Sequence, residues 1–258
     1  MLLGYRTVSS QYLAVPKFRI FKTQRMKNEL SAKLTKSSIR PIVKAILFDL
    51  DGTFADTAPD LAAALNHTRA TRDLSPLPLE LLRPQASHGS RAMLKTGFDI
   101  EPGHPDFIPL RDIFLDYYAS NICVHTQLFG DMAQLVDELE QRAIKWGIVT
   151  NKPDYLTVPL MQALGYAERA ACLVSGDTCT HAKPHPEPMF KACELAGVTP
   201  EQCLYLGDDL RDMQAANSSG MRGIIASYGY VSPDASVENW QAHGSINRPT
   251  ELLAYLDL

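Results

Sequence analysis

Five short segments made almost entirely of apolar residues recur along this chain, and they constrain its fold more than any other feature. They read VKAILF, KWGIVT, CLVS, CLYLG and RGIIAS, and they begin at Val43, Lys145, Cys172, Cys203 and Arg222. Strands that are apolar on both faces are typical of a parallel sheet covered by helices on both sides. Because the residues between these segments have helical patterns, the sequence predicts an α/β fold with a doubly wound parallel sheet.

Two of the intervening patterns predict helices with defined starts. Asp131 is expected to cap a helix with apolar residues at i, i+3, i+4 and i+7, namely Met132, Leu135, Val136 and Leu139. Another helix is expected from about Pro186 to a stop at Gly197.

Two further helices are predicted with specific features. One follows Asp209 and is expected to bury Leu210, Met213 and Ala216. The other follows KWGIVT and contains Pro159, which removes a backbone donor, so we expect a kink or a late start there. The C-terminal HGSINRPTELLAYL is expected to supply a last strand and helix.

A long stretch from about Ala63 to Gln127 interrupts the alternation of strands and helices. It contains helical patterns such as LAAALNHTRATRDL and LRDIFLDYYASNI, separated by Pro- and Gly-bearing breaks. We therefore predict a small helical cap over 63–127. The cap would be inserted between two parts of the α/β core, 41–62 and 128–258.

Charge separates the first forty residues from the remainder. Residues 1–40 hold nine Lys and Arg residues and one acid, whereas the rest holds sixteen basic and twenty-eight acidic residues. We interpret 1–40 as a disordered extension or an over-extended start, with a mitochondrial-type presequence as the alternative. The acidic folded part would repel a phosphate backbone, so no nucleic-acid partner is expected.

Composition excludes other classes of protein. No apolar run approaches the roughly 20 residues of a membrane span, and the N-terminal region lacks the continuous apolar core of a secretion signal. The five cysteines are scattered without a C-x-x-C pair, which favours reduced thiols in a cytoplasm. We therefore expect a cytoplasmic protein without a membrane partner, and no feature implies a protein partner.

Four aspartates lie in or just after the first predicted strand, in the stretch KAILFDLDGTFADTAPD. Asp49 stands where the strand ends, at the edge where doubly wound folds bind ligands. Asp51 can face the same crevice if the loop bends, and Gly52 permits such a bend. The alternative is a solvated acidic turn.

Polar residues after other predicted strands favour a functional site over an acidic turn. Thr150 and Asn151 follow KWGIV, Asp208 and Asp209 follow CLYLG, and Lys183 stands between them in HAKPHPEP. A hydroxyl, an amide and an ammonium suit phosphate oxygens, and paired carboxylates suit a cation. Each residue alone is a weak signal, but their order along the chain makes them a candidate site.

At these residues the sequence resembles the haloacid dehalogenase superfamily. The four motifs of that family correspond to DLDGT, VTN, the lysine of AKPHPEP, and GDDLRD, and the resemblance runs from about residue 43 to the C-terminus. The insertion after DLDGTFADT resembles the family's helical cap of the first type. The resemblance implies a Mg²⁺-dependent phosphohydrolase that acts through an aspartyl-phosphate.

The resemblance also implies which residues do the chemistry. Asp49 would be the nucleophile, and Asp51 would protonate the leaving oxygen and later deprotonate water. Thr150 and Lys183 would hold the transferred phosphoryl group, with Asn151 as a further phosphate contact.

Metal binding is implied by the resemblance and is also favoured by charge. Asp49, the backbone carbonyl of Asp51, and Asp208 would hold Mg²⁺, with Asp209 and Asp212 as auxiliary residues. Carboxylates and a phosphate repel one another, since two unit charges 4 Å apart interact by about 4 kcal/mol at an effective dielectric near 20. A hard divalent cation with oxygen ligands offsets that repulsion.

Asp51 also separates the branches of the superfamily. Dehalogenases of the family lack this second aspartate and its membrane ATPases carry threonine there, so Asp51 favours a phosphatase or a phosphomutase. A non-enzymatic regulatory module is a further alternative, although such proteins usually lose a motif and this chain keeps all four.

The expected substrate is a small phosphorylated sugar acid. The stretches VTNKP, KPHPEP, GDDLRDMQAA and YGYVSPDASVENW make the chain similar to the phosphoglycolate phosphatase group, and more closely to the N-acetylmuramic acid 6-phosphate phosphatases of peptidoglycan recycling. N-acetylmuramic acid 6-phosphate is therefore the expected substrate and 2-phosphoglycolate the alternative. In the cap, Arg91 could pair with the carboxylate that both esters carry, or be a solvated helix charge.

Overall fold

The computed structural model describes Met1, Gly4, 42–232 and 234–256. The fold lies in the unit Pro41–Leu258. Apart from Met1 and Gly4, the predicted extension 1–40 lies outside the described residues. Within the described ranges, no helix is both long and apolar enough to cross a membrane.

A six-stranded parallel sheet forms the centre of the core. Its strands are β1 Ala45–Phe48, β4 Lys145–Val149, β5 Leu173–Val174, β6 Cys203–Gly207, β7 Arg222–Ala226 and β8 Gly244–Ile246. In space they lie in the order β5-β4-β1-β6-β7-β8, and Ala45 of β1 is in register with Lys145 on one side and Cys203 on the other. Five of these strands lie in the five apolar segments, so the predicted α/β parallel sheet is confirmed.

The described residues form eight α-helices, and the last four of these cover both faces of the sheet. The helices are α1 Ala58–Ala70, α2 Leu79–Leu82, α3 Gly89–Phe98, α4 Phe107–Ser120, α5 Met132–Gln141, α6 Asp154–Ala163, α7 Glu187–Ala196 and α8 Leu210–Ser219. Side chains of β1 alternate between two clusters: Ile46 and Phe48 belong to the cluster that contains α5 and α6, while Ala45 and Leu47 belong to the one that contains α7 and α8. This alternation buries the strand on both sides, which is why its sequence is continuously apolar.

The predicted helices are present, with differences in detail. The four apolar residues predicted for α5 are buried, but the side chain of Asp131 accepts hydrogen bonds from Arg248 and Thr250 and makes no cap bond to α5. Leu210 was expected to be buried and is 40% exposed, because it is the first residue of α8 and lies at the rim of the core. The helix that contains Pro159 starts before it, at Asp154, and continues through it. The C-terminal segment supplies β8 and a 3₁₀ helix, Pro249–Tyr255.

Four helices, α1 to α4, form a separate layer of helices between two short strands. These strands, β2 Ala55–Asp56 and β3 Gln127–Leu128, pair antiparallel. The helices share one apolar cluster, to which the core contributes Leu156 and Tyr230. Asp60, in the first turn of α1, accepts hydrogen bonds from the backbone N–H groups of His125 and Thr126, so the two chain passages into the helical layer are fixed to each other.

Candidate active site

The order of strands in the sheet brings the predicted site residues to one edge. Asp49, Thr150 and Asp208 directly follow β1, β4 and β6, which are neighbours in the sheet. Lys183 reaches the same place from the loop before α7. All four residues are buried, so their polar groups are shielded from water and interact strongly.

Lys183 connects two buried carboxylates. Its Nζ lies 2.9 Å from Oδ1 of Asp49 and 2.7 Å from Oδ1 of Asp212, and it also donates to the carbonyl oxygen of Val149 at 2.9 Å. Burial raises the pKa of Asp49 to about 7, although the charge of Lys183 opposes this shift. Burial also raises the pKa of Asp208 well above its usual range. One ammonium group therefore does not compensate the carboxylates around it.

The acidic cluster fits a metal ion. Asp49, Asp208 and Asp212 each offer a carboxylate oxygen, and these atoms lie within 4.8 Å of one another. The hydroxyl of Ser87 lies 3.0 Å from Oδ2 of Asp208 and 3.2 Å from the carbonyl oxygen of Asp51, which places that carbonyl beside the cluster. Buried carboxylates are held as ions only when paired or bound to metal, and hard oxygen donors of this kind suit a hard divalent cation.

Asp51 is held by Lys152, a residue that was not predicted from the sequence. The Nζ of Lys152 lies 3.0 Å from Oδ1 of Asp51 and 3.3 Å from Oδ2, and the hydroxyl of Thr57 donates to the same carboxylate. Burial lowers the pKa of Lys152, but the charge of Asp51 more than offsets this, so the pKa lies above its usual value. The signal in the sequence was the position of Lys152 directly after VTN, at the end of a strand.

Thr150 and Asn151 have different surroundings. The Thr150 hydroxyl accepts a hydrogen bond from the backbone N–H of Lys152 at 3.2 Å, which leaves its own hydrogen for a ligand. The Asn151 side chain was expected to contact phosphate, but it donates to the Lys183 carbonyl and accepts from the Lys183 N–H, both at 2.9 Å. This amide therefore positions Lys183, while Asn151 also lines the cavity over the acidic cluster, and its phosphate contact stays a prediction.

Gly52 makes the close approach of the two acidic loops possible. Its φ is +88°, and a Cβ at this position would lie 2.2 Å from Oδ2 of Asp208. A side chain here would be both strained and in collision with a candidate metal ligand. The expected bend after Asp51 is therefore present.

A cavity of about 370 Å³ opens over these residues. Core residues Asp49, Asp51, Thr150 and Lys183 line it, and the helical layer adds basic and apolar side chains. Arg91 is among the lining residues; its side chain is 68% exposed and lies 3.5 Å from Glu101, so it is only weakly paired. The volume suits a small-molecule ligand.

The comparison with known families agrees with this arrangement. The family model described as "Haloacid dehalogenase-like hydrolase" matches residues 46–226. The chain belongs to this family. The match spans β1 to β7 and thus includes Asp49, Lys183 and Asp208.

This haloacid dehalogenase-like hydrolase has curated relatives that are named as phosphatases. It is 39% identical over 215 residues to the N-acetylmuramic acid 6-phosphate phosphatase of Pseudomonas aeruginosa, covering 83% of this chain and 95% of that one. It is 41% identical over 212 residues to the phosphoglycolate phosphatase of Xanthomonas campestris pv. campestris, covering 81% and 94%.

Solved structures show the same fold. A predicted phosphoglycolate phosphatase from Haemophilus somnus superposes with a TM-score of 0.74 at 25% identity, covering 83% of this hydrolase and 97% of that chain. A predicted phosphatase from Clostridium acetobutylicum gives a TM-score of 0.70 at 18% identity, covering 84% and 100%.

Proposed function

We propose that this hydrolase is a Mg²⁺-dependent phosphomonoesterase that acts through an aspartyl-phosphate on a small phosphorylated sugar acid. The observation that carries the proposal is that two aspartates line the same cavity but are held by different residues. Asp49 is buried beside Lys183, and Asp51 is held separately by Lys152 and Thr57. Two aspartates in different surroundings suit the two roles of nucleophile and proton carrier.

The residues of the chain divide the reaction between them. The Asp49 carboxylate attacks phosphorus and forms a new O–P bond as the ester bond breaks, while Asp51 gives its proton to the leaving oxygen. Asp51 then takes a proton from the water that hydrolyses the acyl phosphate and frees Asp49. Lys183 and the Thr150 hydroxyl hold the phosphoryl oxygens during both steps.

The cation would be held by residues that are already in place. Asp49, the carbonyl of Asp51, and Asp208 are the proposed ligands. When bound, Mg²⁺ would offset the charge shared by the carboxylates and the phosphate. Asp212 keeps Lys183 in position through its contact at 2.7 Å.

N-acetylmuramic acid 6-phosphate is the proposed substrate, with a place in peptidoglycan recycling in the cytoplasm. Two curated relatives with that name support it, at 39% and 40% identity, and the cavity is large enough for a sugar acid. Relatives named phosphoglycolate phosphatase at 41% identity make 2-phosphoglycolate the second candidate. Arg91 is the proposed contact for the carboxylate that both esters carry.

Phosphate release tests the proposal. The value of kcat/KM with Mg²⁺ is measured for both esters in parallel, with Asp49→Asn as the matched inactive control. A preference for N-acetylmuramic acid 6-phosphate supports the proposed substrate, and a preference for 2-phosphoglycolate replaces it with the second candidate. Undiminished turnover by Asp49→Asn would show that the nucleophile is wrongly assigned.

A further inference from the structure

The side chain of Tyr118 on α4 is buried, and its hydroxyl hydrogen has no acceptor among the described residues. Its exposed fraction is 0%, and its hydroxyl is the only buried side-chain polar atom within 42–232 and 234–256 that lacks a hydrogen bond. Buried hydroxyls nearly always have a hydrogen-bond partner, since a buried hydroxyl without one is energetically unfavourable. An unsatisfied hydroxyl in a well-packed helix therefore points to a ligand that completes it.

Tyr118 lies next to the proposed proton carrier. It lines the same cavity as Asp49 and Asp51. The Nζ of Lys152 sits 4.6 Å from the centre of the Tyr118 ring while it pairs with Asp51 at 3.0 Å. A group from the helical layer thus reaches the place where the leaving oxygen of the substrate would receive its proton.

The charged groups that act on this hydroxyl are Lys152, Asp51 and Asp60, and both carboxylates are held by other donors. The carboxylate of Asp51 accepts from Lys152 and Thr57. Asp60 accepts from the backbone of His125 and from both the backbone and the hydroxyl of Thr126. The ammonium of Lys152 interacts with the Tyr118 oxygen, but it supplies donors and no acceptor for the Tyr118 hydrogen.

Tyr118 also packs among apolar side chains, which offer no acceptor. Phe114, one turn earlier on α4, has its ring nearly parallel at 6.5 Å between ring centres. Leu61 and Leu156 line the same cavity. Burial also raises the pKa of Tyr118 to about 12, so the hydroxyl keeps its hydrogen at neutral pH. The hydrogen of this hydroxyl is therefore available to an acceptor on a ligand.

We propose that the Tyr118 hydroxyl forms a specificity subsite that donates a hydrogen bond to an oxygen of the leaving group. This inference rests on the proposed phosphatase function. Asp51 protonates the ester oxygen itself. A hydrogen-bond donor beside Asp51 would therefore contact a different oxygen of the leaving group, bound to the carbon next to the esterified carbon. The subsite therefore selects phosphomonoesters with an acceptor there, such as the ring oxygen of a hexose 6-phosphate or the carboxylate of 2-phosphoglycolate.

The test compares Tyr118→Phe with Tyr117→Phe, a neighbouring tyrosine whose ring stacks on His67 at 4.2 Å and which does not line the cavity. Each variant is assayed with two matched pairs of esters. In one pair, 2-phosphoglycolate is set against ethyl phosphate. In the other, N-acetylmuramic acid 6-phosphate is set against its carbocyclic analogue, in which a methylene group replaces the ring oxygen. The melting temperature of each variant is measured alongside.

The expected result is selective. Tyr118→Phe lowers kcat/KM about tenfold for the oxygen-bearing ester that the wild type prefers and lowers it much less for the counterpart without that oxygen. The melting temperature stays the same or rises, because an unsatisfied hydroxyl is removed. Tyr117→Phe changes neither ratio.

Three results would overturn the subsite. These are an equal fall for both members of a pair, no fall for either, or a melting temperature lowered by several degrees, which would reveal a structural partner for the hydroxyl. Wild-type protein that releases phosphate from none of the four esters would refute the phosphatase proposal and the subsite together, so the two failures are distinguishable.

Discussion

Replacing Lys152 by methionine tests how the proton carrier is held. Lys152 and Asp51 form a buried ion pair at 3.0 Å, and their side chains are only 6% and 13% exposed. Methionine keeps most of the side-chain volume but removes the ammonium, so Asp51 is left with Thr57 as its partner. Removing one member of a buried pair leaves an uncompensated charge, and the expected loss is about 3–5 kcal/mol in the free energy of unfolding.

A double variant gives the prediction its sharpest form. Asp51→Asn combined with Lys152→Met removes both charges, so no unpaired ion remains in the buried site. We expect the double variant to be more stable than Lys152→Met alone, because losing a whole buried pair is milder than losing half of it.

The free energy of unfolding is measured by urea titration, with Lys95→Met as the matched control. Lys95 pairs with Asp99 at 2.7 Å on an exposed helix surface, where the same substitution should have little effect. Activity is followed in parallel, and we expect Lys152→Met to lower kcat because Asp51 is no longer held in place. The reasoning is refuted if Lys152→Met is as stable as the control variant, or if the double variant is no more stable than Lys152→Met alone.

Three other predictions concern the acidic cluster. Gly52→Ala should lower kcat/KM by about a hundredfold or more, because its methyl group would lie 2.2 Å from Oδ2 of Asp208. Gly165→Ala is the control for backbone strain alone, since Gly165 has a φ of +82° and open space around it. Adding Mg²⁺ at about a hundred times its Kd should stabilise the protein by about 2.7 kcal/mol, seen as a raised melting temperature, and Asp208→Asn should remove that shift. Since burial raises the pKa of Asp49 from 3.8 to about 7, the folded state binds a proton that the unfolded state has lost, so metal-free protein should lose stability between about pH 4 and pH 7. Urea titrations across this range should give a flatter profile for Asp49→Asn, and an equally steep profile would contradict the assignment.

The strands could be predicted because burial on both faces leaves a strong mark on sequence. Ile46 and Phe48 face one layer of helices while Ala45 and Leu47 face the other, so every position of β1 has to be apolar. The buried faces of the helices were predictable because their apolar residues recur at helical spacing. Leu210 was not, since its type is apolar but its place at the start of α8 leaves it exposed, and no local pattern shows that.

Site residues could be predicted where they directly follow a strand. They could not be predicted where their role depends on contacts with distant parts of the chain. Asp49 and Asp208 follow from the rule that parallel strands present their carboxyl ends at one edge. The use of Asn151 as a support for Lys183 depends on a loop that lies 32 residues away in the chain. The unsatisfied hydroxyl of Tyr118 depends on what α4 packs against. Neither has a signature in the sequence nearby.

The most direct test of the account is whether Asp49 carries the phosphoryl group. Protein is mixed with Mg²⁺ and N-acetylmuramic acid 6-phosphate or 2-phosphoglycolate, quenched during turnover and treated with borohydride, which reduces an acyl phosphate to an alcohol, and its peptides are analysed by mass spectrometry. The account predicts reduction at Asp49, dependent on substrate and absent in Asp49→Asn. Reduction at a different carboxylate, or phosphate release by Asp49→Asn at the wild-type rate, would contradict it.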